Sequence, residues 1–275
     1  SFCISIDGNK ELHDSCRVDF NGNGSYDRAI AAVHHFRENY PNEVISTKMT
    51  LAPSNIHYTY DAVLNLINEG YEDIFLNCVF EEGWTVEHAK ILYNQMTKIG
   101  DYLIENHLYD KINISLFDEE AFHPMKEEEN GNWCGGANGG TMSIDPNGDY
   151  YTCIRYMESS LNGAQKPLIL GDIQNGYVQL EEHKKNDELL SNITRRSQST
   201  DECFYCPIAA GCAWCSAYNY EIYGTPDKRA TFICIMHKAR ALANVYYWNK
   251  LYHHLNIDKE FKNYLSEKDI NLILN

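Results

Sequence analysis

Residues 43–51, EVISTKMTL, residues 55–69, NIHYTYDAVLNLINE, and residues 73–80, DIFLNCVF, make one strand–helix–strand unit from which the architecture can be read. The outer two segments are short apolar runs rich in β-branched and large side chains. Between them Ala62, Val63, Leu66 and Ile67 recur at helical spacing and share a face, and Gly70 supplies the stop. Upstream, residues 2–6 read as a strand and residues 25–39 as a helix with Ala29, Ile30, Val33 and Phe36 on one side. Downstream, residues 85–106 read as a helix and 111–117 as a further strand. Strands alternating with helices of this length imply an α/β fold, a parallel sheet covered by helices.

The pattern changes near residue 126. The stretch Lys126-Glu127-Glu128-Glu129-Asn130-Gly131-Asn132 is charged and turn-rich, so a module boundary is expected there, dividing 1–125 from 126–275. Beyond it, residues 141–144 and 150–154 flank Asp145-Pro146-Asn147-Gly148 and read as a hairpin. Two helices are expected at 234–255 and 258–274.

The formal net charge of -16 sets the class of partner. A nucleic-acid backbone or an anionic membrane surface would be repelled, and a neutral or basic peptide would not. No apolar run is long enough to span a bilayer, and the opening residues lack the regions of a signal peptide, so a cytoplasmic protein is expected.

The ten cysteines carry the chemistry. Without signs of secretion, metal is favoured over a disulfide framework. Cys203 and Cys206 form one tight pair and Cys212 and Cys215 a second, so four thiolates on short loops can converge at small closure cost. That much suits zinc or iron. Cys134, Cys153 and Cys234 bring the set to seven, which does not fill two closed four-thiolate zinc sites. Cys3, Cys16 and Cys78 have no metal spacing and are expected to be buried thiols.

In order, Cys134, Gly148, Cys153, Cys203, Cys206, Cys212, Cys215 and Cys234 resemble the SPASM extension of radical S-adenosylmethionine (radical SAM) enzymes. One departure is that the family usually has three residues inside the second pair, where this chain has only Ala213 and Trp214. The resemblance implies two auxiliary [4Fe-4S] clusters, one held by Cys134, Cys153 and Cys215 and one by Cys203, Cys206, Cys212 and Cys234. Earlier in the chain, Ser5-Ile6-Asp7-Gly8, His13-Asp14, Arg17 and Gly24-Ser25-Tyr26-Asp27 look like the fourth strand and following loop of the radical SAM partial barrel. By that resemblance Ser5 and Arg17 are candidate contacts to S-adenosylmethionine.

The family's C-x3-C-x2-C motif, which holds the radical-generating cluster, does not occur in the sequence. The expectation is therefore the C-terminal half of a partial (β/α)6 barrel followed by a SPASM domain, belonging to a longer enzyme that carries S-adenosylmethionine and a third [4Fe-4S] cluster, and unable to cleave S-adenosylmethionine unaided. The implied function is that of a maturase that modifies a ribosomally made, cysteine-containing peptide, with a thioether cross-link as product and a flavodoxin or ferredoxin as electron donor. Two other readings stay open. One is a sulfatase-maturating enzyme, although that branch has an acidic residue after the hairpin cysteine and here Ile154 and Arg155 follow Cys153. The other is a non-catalytic electron-transfer or peptide-binding module.

Overall fold

The computed structural model describes residues 2–132, 134–136 and 139–275. The chain divides into two compact units. The first comprises Ser1–Val79, Gly83–Ala121 and Ile235–Asn275, the second Phe80–Glu82 and Phe122–Cys234. One division thus falls close to the boundary read at residue 125, and a second follows Cys234, so the C-terminal helices group with the first unit.

The first unit is built on a four-stranded parallel sheet in the order β1 (Phe2–Ser5), β2 (Ile45–Leu51), β3 (Asp73–Cys78), β4 (Asn113–Ile114). Helices α1 (Lys10–Cys16), α2 (Tyr26–Asn39), α3 (Thr59–Asn68) and α4 (Val86–Glu105) fill the connections. The core is the apolar face the periodicity marked: Ala62, Val63 and Leu66 of α3 are buried with Met49 and Leu51 of β2 and Ile74 and Leu76 of β3. Strand β1 is an edge, and Phe2, Cys3 and Ser5 are exposed along it. Cys3 and Cys16 are accordingly exposed rather than buried, because one lies on that edge strand and the other at the last residue of α1; Cys78 alone of the three is buried.

Two elements are shorter than their sequence pattern. The run 111–117 keeps only two paired residues because Asn244 captures the backbone beyond them: its amide donates to Leu116 O at 2.8 Å and its Oδ1 accepts from Asp118 N at 2.9 Å. Likewise the last helix, α11 (Glu267–Leu274), does not begin at 258. Asn249, on α10 (Cys234–His254), takes both backbone groups of Phe261, at 3.0 and 2.8 Å. Ser266 then caps α11 by accepting from Asp269 N. Tyr247 of α10 is buried and stacks on Phe117, ring centroids 4.1 Å apart.

The second unit holds a small antiparallel sheet, β5 (Ser143–Ile144), β6 (Asp149–Tyr151), β7 (Gly171–Asp172) and β8 (Gly176–Tyr177), in sequential order. Short helices follow: α5 (Glu158–Leu161), α6 (Glu181–Ser191), α7 (Arg195–Gln198), α8 (Asp201–Phe204) and α9 (Ser216–Tyr223). Among the described residues no helix is long and apolar enough to cross a membrane.

Candidate functional site

The hairpin β5–β6 sets the first thiol. Its turn is closed by Asp145 Oδ1, which accepts from Asn147 N at 2.8 Å and Asp149 N at 3.0 Å. Gly148 has φ +90°, and a Cβ there would stand 2.9 Å from the Ile173 side chain, so only glycine fits. The chain leaving β6 carries Cys153 into a short 3-10 turn, Ile154–Tyr156. Cys215 precedes α9, and its sulfur accepts from Tyr218 N at 3.4 Å, a hydrogen bond at a helix N-terminus that favours the thiolate.

Cys134, Cys153 and Cys215 all pack, half-buried, against one hydrophobic cluster that includes Tyr151, Tyr156, Leu161, Leu170 and Tyr220. A Cβ on Gly136 would lie 3.4 Å from Cys153 Sγ and 3.8 Å from Cys134 Sγ, so two of these sulfurs face one point. Tyr156 is 1% exposed, and its hydroxyl has no hydrogen-bond partner among the described residues. Burial, and then the nearby Cys134, Cys215 and Cys153 thiolates, drive its ionisation far up. Arg155 donates to Glu81 at 2.7 Å and also faces Glu221 and Cys215. Burial raises the Cys215 thiol, against the opposing pull of the Tyr218 amide and Arg155.

The other four thiols come from a tight succession of turns. Thr200 caps α8 by accepting from Cys203 N at 3.3 Å; Cys206 N then bonds Cys203 O, Ala209 N bonds Cys206 O, and Cys212 N bonds Ala209 O. Cys234 opens α10. Cys203, Cys206 and Cys234 all act electrostatically on Cys212, whose thiol burial pushes up to about 12. Arg229 Nη2 lies 2.9 Å from Cys212 Sγ and 2.8 Å from its carbonyl oxygen, and its guanidinium stacks 4.1 Å over the Trp214 ring.

Among the described residues no two cysteines form a disulfide. Among the described residues no three His, Cys, Asp or Glu side chains close to the spacing of a single ion. Ser5 is the exposed last residue of edge strand β1. Arg17 pairs with Asp7, which also accepts from Thr50 N at 2.9 Å. Neither residue lines a cavity of about 390 Å³ in this unit, which is bounded by Asn9, Glu11, Leu12, Ser15, Tyr58 and Asp61 among others. Sequence reasoning missed Tyr156, Arg195 and Arg229, since nothing local distinguishes them from a packing aromatic and two solvated charges.

No family model matches the chain, and no curated protein does. Solved structures do. Hexahistidine-tagged anSMEcpe with bound AdoMet, an anaerobic sulfatase-maturating enzyme, superposes over 98% of this chain and 68% of its own, with 13% identity and a TM-score of 0.59. Native anSMEcpe with bound AdoMet and Kp18Cys peptide covers 92% of this chain and 68% of its own, at 14% identity and a TM-score of 0.56. The form with Cp18Cys peptide covers 93% and 70%, at 14% identity and a TM-score of 0.57. The chain thus has the mixed α/β, parallel-sheet fold of the radical SAM type.

Proposed function

We propose that this protein is a radical SAM maturase of a ribosomally made, cysteine-containing peptide, and that its thiols hold two auxiliary iron–sulfur clusters, Cys134, Cys153 and Cys215 one of them and Cys203, Cys206, Cys212 and Cys234 the other. The observation that supports this reading is that Cys134, Cys153 and Cys215 pack on one hydrophobic cluster of the second unit while Cys203, Cys206 and Cys234 act electrostatically on Cys212. The fold shared with anSMEcpe supports it.

The residues suit a multi-iron group better than a single ion. Thiolates are the ligands such clusters take, and several irons keep the thiolates farther apart than one zinc, where each sulfur sits about 2.3 Å from the metal. The Tyr156 hydroxyl, orphaned among three thiols, is placed to donate to an anionic acceptor that they hold. Arg229 is placed to do the same at Cys212. Bound there, the clusters would supply one-electron acceptance and, at the three-thiolate centre, an open position.

The chain's own residues do the rest. Cys134, Cys153 and Cys215 leave one ligand place that a substrate cysteine would fill as a thiolate, fixing its sulfur for cross-linking. Cys203, Cys206, Cys212 and Cys234 close their centre, so it serves electron transfer. Gly135, Gly136, Gly139 and Gly140 allow a peptide backbone to approach. The candidate S-adenosylmethionine contacts remain Ser5 and Arg17, with Arg17 shared with Asp7.

A sulfatase-type conversion of cysteine is the second reading, favoured by the likeness to anSMEcpe with peptides and opposed by Ile154 at the place of that branch's acidic residue. The polypeptide, reconstituted anaerobically with iron and sulfide, should bind both and show the charge-transfer absorption of [4Fe-4S] centres. Cys215→Ser and Cys212→Ser should each remove one centre and leave the other. Retention of zinc with no iron would end the cluster reading. With the longer enzyme that carries the C-x3-C-x2-C motif, S-adenosylmethionine, a reductant and a cysteine-containing peptide, product that retains its sulfur and loses two hydrogens supports cross-linking; product that loses its sulfur supports the second reading.

A further inference from the structure

Two arginines of the second unit are buried with no carboxylate within ion-pair distance among the described residues. Arg195 is 2% exposed and Arg229 7%. A guanidinium taken out of water without an anion is costly, and Arg cannot discharge itself by losing its proton. Each is held in place firmly. Arg195 donates to three main-chain carbonyls, Glu129 O at 3.2 Å, Phe204 O at 2.6 Å and Lys126 O at 3.1 Å, and stacks 3.9 Å over the Phe204 ring. Arg229 is anchored through its own backbone to Gln198 O at 3.0 Å, and its neighbour Ala230 N donates to Asn219 Oδ1.

What these two cations share is the four-thiol group. Arg229 reaches Cys212 Sγ at 2.9 Å, and Arg195 acts electrostatically on Cys203. The two guanidiniums also act on each other, a like-charge pair whose repulsion an anion between them would relieve. Glu127 and Glu129 lie within electrostatic range of Arg195, but neither closes to an ion pair with it. Carbonyls satisfy the N–H groups of Arg195 without neutralising its charge. Four thiolates bound to iron would neutralise both.

Resting on the cluster reading above, we propose that Arg229, supported by Arg195, is the positioning residue that sets the reduction potential of the centre held by Cys203, Cys206, Cys212 and Cys234. An incoming electron adds negative charge to a group already carrying that of its thiolates. A fixed guanidinium hydrogen-bonded to one of those sulfurs stabilises the reduced form more than the oxidised one, and so raises the potential. The three-thiol centre has Arg155 instead, but there Glu81 at 2.7 Å and Glu221 already take up the charge. The two centres therefore differ in counter-charge.

The test is a dithionite titration followed by electron paramagnetic resonance, with iron and sulfide content measured on the same samples. Arg229→Gln at full iron content should shift the four-thiolate centre at least tenfold toward the oxidised form, which is about 59 mV for one electron. The three-thiolate centre should not move, and it serves as internal reference. An unchanged potential at full iron content, or an equal shift in both centres, overturns the proposal. Should Arg229→Gln fail to fold, Arg229→Lys decides, because it loses the paired contact with Cys212: a shift below about threefold overturns it. A chain that takes up no iron ends the cluster reading and this proposal with it, whereas full iron content with an unchanged potential ends this proposal alone.

Discussion

Asp7 and Arg17 form an ion pair in which the carboxylate is sealed from solvent while the guanidinium is only partly so, with side-chain exposures of 2% and 33%. The same carboxylate accepts from Thr50 N and from the Cys16 thiol, tying the end of β1 to α1 and to β2. Replacing Asp7 by Ala removes the acceptor these donors share and leaves Thr50 N without its partner. The expected loss is about 3 kcal/mol of folding free energy, read by urea denaturation. Arg17→Gln should lose less, since solvent already reaches its head group. Equal losses would mean that the buried carboxylate is not the anchor.

Gly136 packs against the thiols directly. A methyl there would stand 2.9 Å from Cys153 Cβ, so Gly136→Ala must displace Cys153. Iron bound at the three-thiol centre is expected to fall by about half or more, with the four-thiol centre untouched. Gly139→Ala is the control, because no other described residue lies within 4 Å of its added methyl, although its φ of +77° exacts some strain.

His13 makes stability depend on pH. Its Nδ1 accepts from Asp7 N at 3.2 Å, so the other ring nitrogen carries the proton and faces Ser25 Oγ at 3.0 Å. Ser25 in turn donates to Arg17 O. Burial is the main influence and lowers the His13 pKa; Arg17 and Lys10 lower it further, against Asp7 and Asp14. The folded form therefore binds the proton less readily than the unfolded chain. The stability this supplies is present above about pH 6.5 and is lost as pH falls toward the depressed folded value. Urea midpoints between about pH 7.5 and about pH 5 should fall, and His13→Gln should flatten that slope.

Much of the fold could be read where its patterns are local. Ala62, Val63 and Leu66 lie on one helical face whatever surrounds them, and Asp145-Pro146-Asn147-Gly148 can do little but turn. Where a side chain far along the sequence captures the backbone, local reading fails: Asn244 ends the pairing of β4, and Asn249 holds Phe261 out of the last helix. The two-residue strands β7 and β8 leave no period to detect. At the candidate site, spacing marks the cysteines, but their division into sets came from the resemblance. The groups around them carry no signal: Arg229 follows Lys228 and reads as a second surface charge, whereas it is 7% exposed against Cys212.

Tyr156 offers a test that separates a packing role from a role toward a bound group. Its ring is core: 1% exposed and 6.2 Å from the Tyr220 ring, centroid to centroid. Its hydroxyl is buried without an acceptor among the described residues, and in the metal-free chain that is a penalty of about 1 kcal/mol or more. Tyr156→Phe keeps the ring and removes the penalty, so the metal-free variant should unfold at higher urea than the wild type. In the iron-loaded protein the sign should reverse. A hydroxyl that donates to a thiolate or sulfide of the three-thiol centre stabilises its reduced state, and its loss should lower that centre's potential while the four-thiol centre holds steady. The variant should also lose part of the stabilisation that iron confers, visible as a smaller gain in urea midpoint on loading. If Phe stabilises both forms equally and the potential stays where it was, the hydroxyl has no partner in the loaded protein, and Tyr156 is a core residue alone.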